Sequence, residues 1–152
     1  MKLYFILLTI ALILALLQTS AFPVFGVYLD IVLVFVLTVV YITPSNFGVK
    51  FAFMSGLLMD FIGETRFGGF TFMFTLFSLI TQFSLGMFGK KIVNMFLIVS
   101  LLTLASQIIL GGFVGFGDIF LCATISSVIA MMFYPGINIL CEKFGGFGRK
   151  LK

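Results

Sequence analysis

The side chains able to do chemistry in this 152-residue chain are few and grouped: Asp30, Asp60, Glu64, Arg66 and Asp118 lie at the ends of apolar runs. Aspartates in such surroundings suit ion pairing, proton transfer or acid-pair proteolysis. Neither Asp30 nor Asp60 has a protease motif around it and both stand near the edge of their runs, so the proteolytic and proton-path readings are set aside. No nucleophile–base pair, metal cluster or phosphate loop is recognisable in the sequence. The chain has no His, which removes the usual proton shuttle and the commonest metal ligand. Cys122 and Cys141 stand nineteen positions apart on one run, about 28 Å along a helix, and are read as small buried hydrophobes rather than a pair. No enzyme, no cofactor and no metal are therefore expected.

The elements that position these groups follow from composition. At 62% hydrophobic and 9% charged, with 22 Phe, the chain has more apolar surface than a small globule can hide, which predicts an all-α integral membrane protein. Six apolar runs are separated by turn signals, at about 3–22, 26–42, 47–63, 70–88, 92–113 and 119–140. About 20 residues cross a hydrocarbon core, so the second and third are short and are expected upright or inside the bundle. Pro23, Thr43-Pro44-Ser45-Asn46, Glu64 to Gly69, Gly89-Lys90-Lys91 and Gly115-Phe116-Gly117-Asp118 make the breaks. None is long enough to hold a domain, so a single six-helix transmembrane domain over 1–152 is expected, with function in the bundle, its rims or its partners. The run from Leu3 to Leu17 followed by Thr19-Ser20-Ala21 imitates a signal peptide. A first span is needed to keep the charges in phase, so it is read as retained.

With six spans, eight of the nine basic residues fall on one side, at Lys2, Lys50, Lys90, Lys91, Lys143, Arg149, Lys150 and Lys152. Four of the five acids, Asp30, Asp60, Glu64 and Asp118, fall on the other with Arg66. Short loops rich in Lys and Arg stay in the cytoplasm, which predicts both termini inside. The bases are scattered without an aromatic platform, so nucleic acid is not an expected partner and lipid headgroups are.

A carboxylate within a span costs about 2.5–3.5 kcal/mol on insertion scales, so Asp60, with Phe61 and Ile62 still to follow, needs a partner or water. Arg66 could reach back to it, and Asp30 lies at the same depth on the preceding span. A structural ion pair and a partner-docking or ligand site are both open. Small residues mark close approach between helices in lipid. Ala11 and Ala15, Gly56, Gly86, and Gly111 and Gly115 are the candidate packing or partner positions, with Ala123, Ser126, Ser127 and Ala130 on the sixth run. Gln18, Gln82 and Gln107 are read as interhelical hydrogen bonders, and Pro135-Gly136 as a bend.

Three stretches carry a resemblance: Leu29-Asp30-Ile31-Val32-Leu33-Val34, Phe53-Met54-Ser55-Gly56-Leu57-Leu58-Met59-Asp60 and Phe67-Gly68-Gly69-Phe70. Their order resembles the rod shape-determining protein MreD family of bacteria, over about residues 28–90 by motif. Leu29, Lys50 and Ala52 depart from that family's pattern. The resemblance implies a non-enzymatic scaffold of the bacterial cytoplasmic membrane. Such a subunit binds the bitopic protein MreC and links the actin-like MreB filament to peptidoglycan synthesis by RodA and its transpeptidase partner. The six short spans, the Ala11/Ala15 pair and the polar outer rim also resemble the substrate-binding subunit of energy-coupling-factor transporters. In that alternative Asp30, Asp60, Glu64 and Arg66 line a vitamin site, and Ala11 and Ala15 meet the coupling subunit.

Overall fold

The computed structural model describes residues 2–20, 30–62, 68–89, 92–110 and 116–145. They form six helices and no strand: α1 Lys2–Ser20, α2 Ile31–Ile42, α3 Ser45–Ile62, α4 Gly69–Phe88, α5 Ile92–Leu110 and α6 Phe116–Gly145. The sixth helix overruns the 119–140 expected for it at both ends. Phe116, Gly117 and Asp118, expected in a break, form its first turn, and Lys143 supports the negative end of its dipole in the last turn. It also runs unbroken through Pro135.

α2 is the centre of the molecule. Its sequence IVLVFVLTVVYI is apolar all round, as befits a helix with no solvent face, and every residue from Val32 to Ile42 is buried. Each of the other five helices packs on it. Val and Ile are mediocre helix formers, so packing rather than propensity holds this segment helical. The Thr38 hydroxyl is satisfied locally, Oγ1 donating to the Val34 carbonyl at 2.8 Å. Twelve residues span only about 18 Å at about 1.5 Å per residue, and the surrounding helices enclose them.

Edge-on aromatic contacts tie four helices together. Tyr4 meets Phe47 and Phe51 at 5.6 and 6.2 Å, Phe51 meets Phe35 at 6.2 Å, and Phe35 meets Phe133 at 5.6 Å. Each such pair adds about 0.5–1.5 kcal/mol beyond its buried area. The Tyr4 hydroxyl also donates to the Lys50 carbonyl at 3.4 Å, so α1 and α3 begin side by side, with Lys2 and Lys50 at one end of the bundle. Asp30 and Asp60 lie at the other.

The α2–α3 turn is tight. Thr43 Oγ1 caps Val39 O at 2.7 Å, and a Cβ on Gly48 would stand 3.2 Å from the Val40 Cα. Gln82 on α4 reaches into the same corner and donates to Val40 O at 2.8 Å. On the α5–α6 seam Ser127 gives its proton to Ala123 O, so Ser100 is the donor in the 2.6 Å contact between the two hydroxyls.

The exterior is apolar. Phe5, Phe53, Phe83, Leu101 and Met132, one on each of the five outer helices, are all exposed, the last at 74%. By length and composition two helices are able to cross a membrane, Gly69–Phe88 and Phe120–Phe144. Lys2–Gln18, Ile31–Ile42 and Val93–Ile109 are apolar but shorter over their described residues.

Candidate functional site

Asp60 is the most constrained charge among the described residues. It is 5% exposed near the end of α3, and it faces the start of α4. The amides of Phe70 and Thr71 donate to its two oxygens at 2.9 and 3.0 Å, and the Thr71 hydroxyl donates to Oδ2. A helix begins with four amides that have no partner in the helix itself and a positive dipole end, so a carboxylate there is doubly favourable. α4 supplies no cap of its own. Its N-cap residue is Gly68, in the left-handed region at φ 96°, with no side chain to accept. Asp60 therefore caps the next helix from outside it.

Gly56, one turn before Asp60, makes this possible. A Cβ there would lie 2.6 Å from Thr71 Cα and 2.9 Å from Phe70 O, so only glycine lets the first turn of α4 come so close. The two motif residues Gly56 and Asp60 thus act on one backbone segment, the first as clearance and the second as anchor.

Asp30 does the same work at α2. Its Oδ1 accepts from the Leu33 amide at 3.1 Å and from Gln18 Nε2 at 3.3 Å, while Gln18 Oε1 accepts from the Val32 amide at 3.1 Å. The end of α1 and the cap residue together close the first turn of α2. Asp118 falls by position in the first turn of α6. Thus Asp30 and Asp60, at the same end of the bundle, each close the N-terminus of a helix.

Among the described residues Asp60 is held by two amides and a hydroxyl, hydrogen bonds that favour the charged carboxylate; the Arg66 expected to reach back to it lies outside them. Arg66 and Glu64 lie outside the described residues, as do Gly111 and Gly115. Ala11 and Ala15 are buried in the core, packing this chain's own helices. Of the two roles expected for Gly86, packing within the chain is not seen among the described residues: it is exposed, and a Cβ there would meet nothing within 4 Å. Cys122 and Cys141 are buried free thiols. Among the described residues no three His, Cys, Asp or Glu are grouped to hold a metal ion.

Sequence reasoning missed Gly48, whose signal is the spacing Pro44-x-x-x-Gly48 at a helix start. It also missed Asn94, whose amide donates to Phe88 O at 2.9 Å and Gly89 O at 3.1 Å and closes the end of α4. Beside Asn94 a groove of about 210 Å³ opens between α4 and α5, walled mainly by Phe88, Leu97, Ile98 and Leu101.

No family model, no curated protein and no solved structure matches the chain.

Proposed function

We propose that this chain is a six-span protein of the bacterial cytoplasmic membrane that works as a non-enzymatic scaffold in cell elongation, binding an MreC-like bitopic protein. The observation that carries the membrane reading is the apolar exterior on all five outer helices around a buried central helix, since large exposed apolar surfaces mark membrane or protein contacts. In that setting the short α2 needs no lipid contact, and polar groups at both of its ends are answered by protein, as hydrocarbon demands.

The scaffold reading rests on the resemblance to the MreD family, and the α3–α4 junction supports it: the motif residues Gly56 and Asp60 serve to hold helices together. In the alternative vitamin-binding reading Asp60 would be open to a ligand, whereas both of its oxygens are engaged. Through its bitopic partner such a scaffold would act on RodA, the transpeptidase and the MreB filament.

Co-expression of the tagged chain with MreC of its own organism, followed by detergent extraction and purification, tests the reading. Retention of the partner in stoichiometric amount is expected. Its loss at the first wash, together with a saturable thermal shift on adding a vitamin at micromolar concentration, would favour the transporter subunit.

A further inference from the structure

Of the helices that follow one another in the chain, α4 and α5 pack least on each other. The groove of about 210 Å³ between them lies toward the end of the bundle that holds Lys2 and Lys50, since Gln82 of α4 donates to Val40 O beside the α2–α3 turn. It is polar at one end only. At its mouth the Asn94 amide ties the end of α4 to the start of α5 through Phe88 O and Gly89 O. One turn further in, about 5.4 Å, the half-buried Ser84 hydroxyl has no hydrogen-bond partner among the described residues, whereas Thr75, Ser78 and Thr81 of the same helix donate to its backbone. The rest of the lining, Phe88, Leu97, Ile98 and Leu101, is apolar. In the sequence Lys90 and Lys91 follow Gly89 directly, which gives this connection two positive charges.

We infer that this groove seats one anionic phospholipid of the cytoplasmic leaflet. One acyl chain lies along Leu97, Ile98 and Leu101, an ester carbonyl accepts from Ser84, and the phosphate sits at the mouth beside the basic connection. The inference rests on the membrane reading above. From the mouth inward the groove runs from positive charge to a lone hydroxyl to hydrocarbon, the order of a phospholipid's own phosphate, ester and chain. Basic pockets between membrane helices on the cytoplasmic side select anionic headgroups, so a zwitterionic lipid is the poorer occupant. A partner helix is too large. One helical turn, about 10 Å across and about 5.4 Å long, fills roughly twice the volume of the groove.

The test uses the purified full chain, delipidated in mild detergent and titrated with phosphatidylglycerol or with phosphatidylcholine of the same acyl chains. Native mass spectrometry reads the bound lipid, and thermal unfolding without lipid reads the fold. One phosphatidylglycerol is expected to bind about tenfold tighter than phosphatidylcholine, the scale that two lysines near an anionic headgroup give. Leu97→Trp fills the groove and abolishes one-to-one binding of either lipid. Lys90→Gln with Lys91→Gln makes the two lipids bind alike, and Ser84→Ala weakens both by about fivefold, the worth of one hydrogen bond. Leu79→Trp, on the exposed flank of α4 outside the groove, changes neither. All of these variants unfold at the wild-type temperature. Equal binding of the two lipids by the wild type, or a preference that Leu97→Trp leaves intact, overturns the groove and leaves the membrane reading standing. A disulfide between copies of Leu97→Cys, with Cys122 and Cys141 replaced, would put a second copy of the chain there and overturn it as well. A chain that stays soluble without detergent and binds neither lipid overturns the membrane reading too.

Discussion

The Thr71 amide in the first turn of α4 donates to Asp60 Oδ2 at 3.0 Å, so the last charged group of α3 closes the start of the helix that follows it. A carboxylate placed in an apolar run is costly, and this one is stabilised by the helix end it stabilises in turn.

Asp60→Ala leaves the Phe70 and Thr71 amides without their acceptor and is expected to lower stability by about 1–3 kcal/mol. Thr71→Ala removes only the hydroxyl donor and should cost about 1 kcal/mol. Because the two share one contact, the double variant should lose less than the sum. Unfolding of all four forms in mixed micelles gives the coupling, and strictly additive losses would contradict the cap.

Gly56 and Gly86 look alike in the sequence, and the structure separates them. Gly56→Ala forces a Cβ to within 2.6 Å of Thr71 Cα, which the backbone can relieve only by parting α3 from α4. A loss of about 1–3 kcal/mol is expected, as for other overpacked sites. Gly86→Ala meets open space and should not destabilise, with a slight gain from helix propensity in place of a loss. Equal losses at the two sites would contradict the assigned contact.

Ser55 is 1% exposed, and its hydroxyl has no hydrogen-bond partner among the described residues. Burying an unanswered polar group is unfavourable, so Ser55→Ala is expected to be neutral or stabilising by about 1 kcal/mol. A marked loss in the same unfolding assay would mean that the hydroxyl is bonded after all.

The helical architecture was legible because its signals are local. An all-apolar twelve-residue run, IVLVFVLTVVYI, has nowhere to go but the centre, and Pro44 and Gly89 mark where chain direction changes. The acids were legible as a group at one end, but their roles were not. Asp60 meets residues ten and eleven positions on, across a connection whose course no periodicity describes. Spacing tells which face a residue takes and not which neighbour stands opposite, which is why Gly56 and Gly86 shared one expectation. Gln18 was legible as an interhelical donor, yet its pairing with the cap of α2 depends on where α1 ends. In the sequence Gly115 and Gly117 read as a break, whereas the sixth helix already starts at Phe116.

That the chain crosses the bilayer six times, with the basic ends of its helices inside and the aspartate-capped ends outside, is tested most directly by cysteine labelling in intact cells. With Cys122 and Cys141 replaced, Thr65→Cys and Asn46→Cys report on the two ends. A membrane-impermeant maleimide is expected to label Thr65→Cys in intact cells and Asn46→Cys only after permeabilisation, following the positive-inside rule. Labelling of Asn46→Cys but not Thr65→Cys in intact cells would contradict the orientation, and labelling of both there would contradict the six-span arrangement itself.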